Sequence, residues 1–140
     1  MARVAKQEGA LKAKLLERVR LRLPKFVAFA HQDVQTAGIA DVSLTGNKLT
    51  SWWEAKHGTP DFDSPGIQEL RCMQLAINGF CCRYIIWHED KDVQRTLIVH
   101  PSDVHYRPDW KFVGNAEREC FGFNHDFVVD YMAHVHGVAA

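Results

Sequence analysis

The stretch that most constrains the fold is residues 38–56, where two apolar-polar segments flank a short polar turn. Residues 42–44 and 49–55 have the alternation of half-buried strands. Between them, residues 45–48 read Thr-Gly-Asn-Lys, and Gly and Asn accept positive φ at low cost. The stretch therefore predicts an antiparallel β-hairpin, and the rest of the chain has to supply a sheet that accepts it.

Charged side chains stand at the open end of this predicted hairpin. Asp41 precedes the first strand, and Glu54 and Lys56 lie near the end of the second. Residues two apart on a strand leave the same face of a sheet, so Glu54 and Lys56 are expected side by side, with Asp41 on the neighbouring strand. Two carboxylates held close repel unless a cation lies between them, and an oxygen site suits Mg²⁺ or Mn²⁺. The pattern favours metal-assisted phosphodiester hydrolysis; the alternative is a surface ion pair beside a turn aspartate.

The same residues resemble the core motif of a nuclease superfamily. Gly38-Ile39-Ala40-Asp41 followed by Glu54-Ala55-Lys56 resembles the G-x-P-D … E-x-K core of the PD-(D/E)XK nucleases, with Ala40 in place of the usual proline. The chain is most similar to the VRR-NUC and Holliday-junction-resolvase-like branch, because residues 64–68, Ser-Pro-Gly-Ile-Gln, resemble the Ser-Pro…Gln helix start of that branch. The resemblance covers about residues 8–88 and ends by about residue 100.

The resemblance implies a fold and a set of site residues. The fold is an α/β, restriction-endonuclease-like core, a mixed β-sheet flanked by helices in the order α-β-β-β-α-β-β, followed here by a C-terminal helix. A glutamate on the first helix often completes the metal shell in this family. The implied catalytic residues are Asp41, Glu54, Lys56 and Gln68, and the implied ligands of Mg²⁺ or Mn²⁺ are Glu8, Asp41, Glu54 and the backbone carbonyl of Ala55.

The first helix is predicted over residues 8–22, where Leu11, Leu15 and Val19 form an apolar stripe. Glu8 extends this stripe by one turn, so its side chain points toward the core, whereas Glu17 faces away. Glu8 is therefore the better candidate for the metal shell. A glutamate in the first turn also stabilises a helix through the macrodipole, and that explanation stays open.

Further elements follow from local patterns. Residues 26–30 are predicted as a buried strand, 64–78 as a helix, 80–87 as a central strand and 93–99 as an edge strand. A C-terminal helix is predicted over 124–136, and we expect its histidines to be exposed rather than bound to zinc. Its predicted buried residues are Phe127, Val128, Tyr131 and Val135.

The charge of the chain is unevenly distributed. The formal net charge is zero, but residues 1–25 contain eight basic and two acidic residues, a net charge of +6. Such a segment suits a phosphate backbone, and a solvated helix face is the alternative. The predicted DNA contacts are Lys12, Lys14, Arg18, Arg20, His31 and His57.

Together these observations predict one domain spanning residues 1–140 that hydrolyses phosphodiester bonds. The resemblance implies branched DNA of the Holliday-junction type as substrate, in recombination, repair or phage DNA processing, and a homodimer. The alternatives are a nuclease for linear duplex DNA and a non-catalytic DNA-binding or scaffold protein that keeps the fold. No apolar run reaches the ~18 residues of a membrane span, and no secretory signal is evident. We therefore expect a cytoplasmic location, in a bacterial or phage-infected cell.

Overall fold

The computed structural model describes residues 2–31, 40–58, 81–101 and 116–139, with side chains described from Gln7 onward. The described chain has α/β architecture, with a six-stranded mixed sheet and two helices. The predicted helix over 64–78, with Gln68, lies outside the described residues. The elements are α1 (Ala2–Arg22), β1 (Val27–Ala30), β2 (Val42–Gly46), β3 (Leu49–Gly58), β4 (Cys81–Asp90), β5 (Val93–Val99), β6 (Arg118–Phe121) and α2 (His125–Val135).

The strands lie in the sheet in the order of the chain, β1-β2-β3-β4-β5-β6. Every neighbouring pair is antiparallel except β3 and β4, which are parallel. Parallel neighbours need a long connection in the chain, whereas the predicted β2–β3 hairpin needs only a tight turn. The parallel pair places the hairpin in the interior of the sheet and confirms the central position predicted for β4.

The turn of this hairpin differs in detail from the prediction. Asn47 and Lys48, rather than Gly46 and Asn47, have positive φ, at 50° and 66°. Two successive positive φ values are typical of the tight turns that match the twist of a hairpin. Gly46 is needed for another reason, because a Cβ at this position would lie 2.5 Å from the ring of Phe26.

Two hydrophobic clusters cover the two faces of the sheet. Both helices pack on one face, where the predicted apolar stripe of α1 buries Leu15 and Val19, at 0% and 1% exposure. The opposite cluster is built around β4 and β5. Alternate residues of β4 supply both clusters, as the period of two in a strand requires. Its members on the second face are Cys82, Tyr84 and Ile86, and those on the helix-covered face include Ile85 and Trp87.

Two predictions about these elements were wrong, and a third was only partly right. β1 is an edge strand with Val27 and Phe29 50% and 58% exposed, because it is the first strand of the sheet. β5 is not an edge strand, because β6 pairs with its outer side. In α2 the fully buried side is shifted, and the predicted Phe127, Tyr131 and Val135 are only partly buried at its border. The buried residues of α2 are His125, Val128, Val129, Met132 and Ala133.

The histidines at the two ends of α2 are also buried, contrary to the prediction of exposed side chains. The ring of His125 packs edge-on against Trp87, with centroids 5.5 Å apart. His136 is 3% exposed and lies at a hydrogen-bonding distance of 2.8 Å from Ser51 Oγ and 2.9 Å from Gly46 O. These contacts fasten the end of α2 to the β2–β3 hairpin.

Candidate metal centre

Asp41 lies at the open end of the β2–β3 hairpin. It comes one residue before Val42, which pairs with Trp53 at the position farthest from the turn. The backbone N–H of Ala55 donates a hydrogen bond of 2.9 Å to Asp41 Oδ2. The carbonyl of Asp41 accepts from the backbone N–H of His31 at 2.7 Å. Both hydrogen bonds come from the main chain of flanking strands or their ends, so the position of this carboxylate is set by the sheet itself.

Glu54 and Lys56 are adjacent to Asp41 on β3, as the spacing predicts. Glu54 is fully buried, and Lys56 Nζ lies 3.4 Å from its Oε1. Their register partners are Tyr84 and Ile86, so both side chains leave the face of the sheet that carries the second cluster. The predicted convergence of two carboxylates and an ammonium at one end of the hairpin is therefore observed.

The carboxyl groups of Asp41 and Glu54 lie close enough to interact, and this interaction affects the pKa of Asp41. Burial raises the pKa of Asp41, but the interaction with Glu54, the charge of Lys12 and the N–H of Ala55 outweigh it, and the pKa lies below its ordinary value. The lowered pKa favours the ionised form of Asp41.

The helix α1 contributes a second pair of charges to this site. Lys12 Nζ lies 3.2 Å from Glu8 Oε1 and 3.0 Å from Asp41 Oδ1. The other oxygen of Glu8 accepts from the backbone N–H of His57 at 3.2 Å. Burial lowers the pKa of Lys12, but the charges of Asp41 and Glu8 outweigh burial, so the net effect is a raised pKa. Lys12 is therefore a stable ammonium that links α1 to the hairpin.

The residues present fit a hard divalent cation. Asp41 and Glu54 offer carboxylate oxygens at the same end of the hairpin, and oxygen is the ligand that Mg²⁺ and Mn²⁺ prefer. Within the described ranges, no group of three or more His, Cys, Asp or Glu side chains is arranged to hold a metal. Glu8 contacts Lys12, which in turn contacts Asp41, so the third carboxylate is linked to the pair through an ammonium.

The two histidines predicted to contact DNA occupy different environments. His31 is half-buried, lies 2.8 Å from Ser43 Oγ and stacks on Trp52 at a centroid distance of 5.5 Å. It also lines a cleft beside Asp41. The side chain of His57 is 1% exposed and lies 3.3 Å from Glu89 Oε2. A side chain enclosed in this way presents little surface, and the predicted contact of His57 with DNA stays a prediction.

The basic residues of α1 also separate into groups. Lys12 belongs to the carboxylate cluster, whereas Lys14 and Arg20 are exposed. Arg18 pairs with Asp126 at the start of α2, with Nη2 and Oδ1 2.9 Å apart, and Arg20 donates to the carbonyl of Ala28 at 3.3 Å. Part of the basic surface predicted for DNA therefore compensates acidic groups of the protein.

The sequence interpretation missed the place of Lys12. Lys12 follows Glu8 by four residues, a spacing that brings two side chains together on a helix, so this ion pair could be predicted from the sequence. Its third partner, Asp41, lies 29 positions away in the chain and becomes visible only in the folded protein. The predicted catalytic residue Gln68 lies in residues 59–80, outside the described residues.

A scan against models of known protein families finds no match for this chain, and no curated protein is significantly similar to it in sequence. No helix of the described chain is long and apolar enough to cross a membrane.

Proposed function

We propose that the protein is a Mg²⁺- or Mn²⁺-dependent nuclease that hydrolyses phosphodiester bonds of DNA. The observation that carries the proposal is the contact of the Asp41 and Glu54 carboxyls at the open end of the hairpin, with Lys56 3.4 Å from Glu54. Burying two acids together costs stability unless opposite charges compensate them. A shared cation is the ligand that suits this arrangement.

The architecture supports the same proposal. A helix, three strands paired antiparallel and then a strand parallel to the third agree with the order that the PD-(D/E)XK resemblance implies. The helix that this order places before the parallel strand lies outside the described residues. We propose that this sheet is a restriction-endonuclease-like core. We also propose that the protein acts on branched DNA as a homodimer, and this part of the proposal rests on the resemblance alone.

The residues of the site would divide the work between them. Asp41, Glu54 and the backbone carbonyl of Ala55 would hold the cation, and Glu8 would support it from α1. The bound cation would polarise a phosphoryl oxygen and lower the pKa of a water molecule. Lys56 is held close to Glu54 and would neutralise the charge that grows on the phosphate in the transition state. The N–H of Ala55 would keep Asp41 in place throughout.

The test is cleavage of a panel of DNA substrates built from one set of sequences: a four-way junction, a splayed arm, a linear duplex and a single strand. Each is incubated with wild-type protein and Mg²⁺, Mn²⁺, Ca²⁺ or EDTA. We expect cleavage with Mg²⁺ and Mn²⁺, none with EDTA, and the highest rate on the junction. If the linear duplex is cleaved fastest, the proposed nuclease activity stands, but the substrate is linear rather than branched DNA.

Two variants distinguish a specific site from contamination. Glu54→Gln should abolish cleavage because it removes one ligand charge, while Glu119→Gln should not. Glu119 is a matched control, because its side chain is 59% exposed on β6, with its carboxylate 3.7 Å from Arg95. Binding of the junction without cleavage under every metal condition would reject the enzyme in favour of a DNA-binding or scaffold protein.

A further inference from the structure

The ammonium of Lys12 lies between the carboxylates of Glu8 and Asp41, in the position that a bound metal cation would occupy. Each carboxylate gives one oxygen to this ammonium and the other to a backbone N–H of β3, at His57 and Ala55 respectively. The two acids thus keep fixed positions while a single positive charge links them. We propose that Lys12 is a built-in competitor of the metal, which holds the carboxylates in the metal-free protein and leaves when the cation binds. This inference rests on the proposed function.

The charges of the site favour one cation at a time. With their carboxyls ionised, Glu8, Asp41 and Glu54 together with Lys56 carry a formal charge of −2. A divalent ion brings this sum to zero, whereas a divalent ion beside a retained Lys12 would leave +1. Like charges a few ångströms apart in a partly buried site are costly, since the side chains of Glu8 and Asp41 are only 17% and 16% exposed. The competition therefore follows from the geometry.

The structure also provides a place for the displaced side chain. Lys12 lines a cleft of about 180 Å³ together with Gly9, Ala13, His31 and Asp41. An added Cβ at Gly9 would meet nothing within 4 Å, so the described residues leave space beside this position of α1. The Lys12 side chain is already 27% exposed, and its flexible stem allows the ammonium to turn outward without any movement of the helix. The released charge then lies at the rim of the site, where it suits an anionic phosphate.

This arrangement explains how three acidic side chains are kept together without a metal. The ammonium compensates their repulsion during folding, at the expense of metal affinity. Linkage is reciprocal: if Lys12 weakens the binding of the cation, the cation must weaken the contacts of Lys12 by the same factor. Both halves of this relation can be measured without DNA and without activity.

The first measurement is calorimetric titration of Mn²⁺ into wild-type protein, Lys12→Met and Lys14→Met. Methionine keeps an unbranched chain and removes the charge. Lys12→Met should bind Mn²⁺ about tenfold more tightly or better, within the usual range of coupling between sites. Lys14→Met is the matched control, because it removes the same charge from an exposed position two residues away on α1, and its affinity should equal that of wild type.

The second measurement uses wild-type protein only, so it does not depend on the folding of a variant. Amine acetylation is followed by peptide mass spectrometry with and without saturating Ca²⁺. In the metal-free protein Lys12 should react more slowly than Lys14, because its ammonium is held by two carboxylates. Ca²⁺ should accelerate the modification of Lys12 about fivefold or more and leave that of Lys14 unchanged.

Equal or weaker Mn²⁺ binding by Lys12→Met, or a Lys12 acetylation rate that Ca²⁺ does not change, overturns the competition. If wild-type protein binds the ion and cleaves DNA in that case, the proposed function stands and only the role of Lys12 fails. Absence of binding by both proteins overturns the two proposals together.

Discussion

The backbone N–H of Ala55 donates a hydrogen bond to Asp41 Oδ2, and this bond of 2.9 Å closes the open end of the β2–β3 hairpin. Asp41 is therefore both a candidate metal ligand and a part of the hairpin structure. Effects of its substitution on stability and on metal binding have to be separated, and the choice of the new residue makes this possible.

Asp41→Asn and Asp41→Ala are predicted to differ in stability but not in activity. Asparagine keeps an oxygen that accepts from Ala55 N–H, whereas alanine leaves that N–H without its acceptor, at a cost of about 1–3 kcal/mol. Both variants lose a ligand charge, so neither should cleave DNA. Urea unfolding in EDTA measures the difference, and an equal loss of stability in the two variants would show that the hydrogen bond contributes nothing.

Lys56→Met is predicted to lower kcat by about 10²-fold or more while DNA affinity is kept, because the ammonium beside Glu54 would act on charge present only in the transition state. Single-turnover cleavage and equilibrium DNA binding are measured in parallel. Lys48→Met, at an exposed position in the turn of the same hairpin, serves as the control. A change confined to affinity would identify Lys56 as a phosphate-binding residue.

Glu8→Gln should weaken Mn²⁺ binding in calorimetry, whereas Glu17→Gln should not. The Glu8 carboxylate contacts Lys12 and the N–H of His57 beside the candidate centre, while Glu17 is exposed. The two substitutions remove the same charge from the same helix and so control for each other. A defect in Glu17→Gln alone would mean that the metal lies elsewhere.

DNA binding is predicted to weaken steeply with salt, because ion pairs with phosphates release counterions. Neutralising the exposed Lys14 and Arg20 should reduce the slope of log affinity against log salt by about 0.9 for each phosphate that is no longer neutralised. Arg18→Gln should have a smaller effect, because this guanidinium already pairs with Asp126. Lys91→Gln, in the β4–β5 turn, is the control; an equal decrease there would show a general effect of net charge.

Stability is predicted to fall as the pH drops below about 6.5, and His125 should contribute. Burial, together with the charge of Lys14, lowers the pKa of His125 from 6.5, and burial also lowers that of His88. The unfolded chain takes up protons near pH 6.5 that the folded protein does not bind, so the folded state is favoured above this pH and loses stability below it. His125→Phe should flatten the profile of unfolding free energy between pH 7 and 5. The exposed His134→Phe is the control, and a profile unchanged by His125→Phe would contradict the assignment.

The chain by itself determined the features that depend on nearby residues. The period of two in residues 42–55 and the polar turn between them determined the hairpin, and the spacing of Asp41, Glu54 and Lys56 determined which charges meet at its end. The apolar stripe of α1 determined which side of that helix is buried. These features could be predicted because strands and helices have fixed periods, which relate positions in sequence to positions on a face.

Only the tertiary structure decided features that depend on distant partners. The exposure of β1 and the interior position of β5 depend on which strands pair at the two ends of the sheet, and local patterns of hydrophobicity do not contain this information. The burial of His125 and His136 arises from packing of α2 against β4 and the hairpin. Lys12 appeared in sequence as one more basic residue for DNA, and the fold placed it between Glu8 and Asp41 instead. The physical reason is that a long charged side chain takes its position from the opposite charges nearest in space, and those are set by the packing of α1 on the sheet.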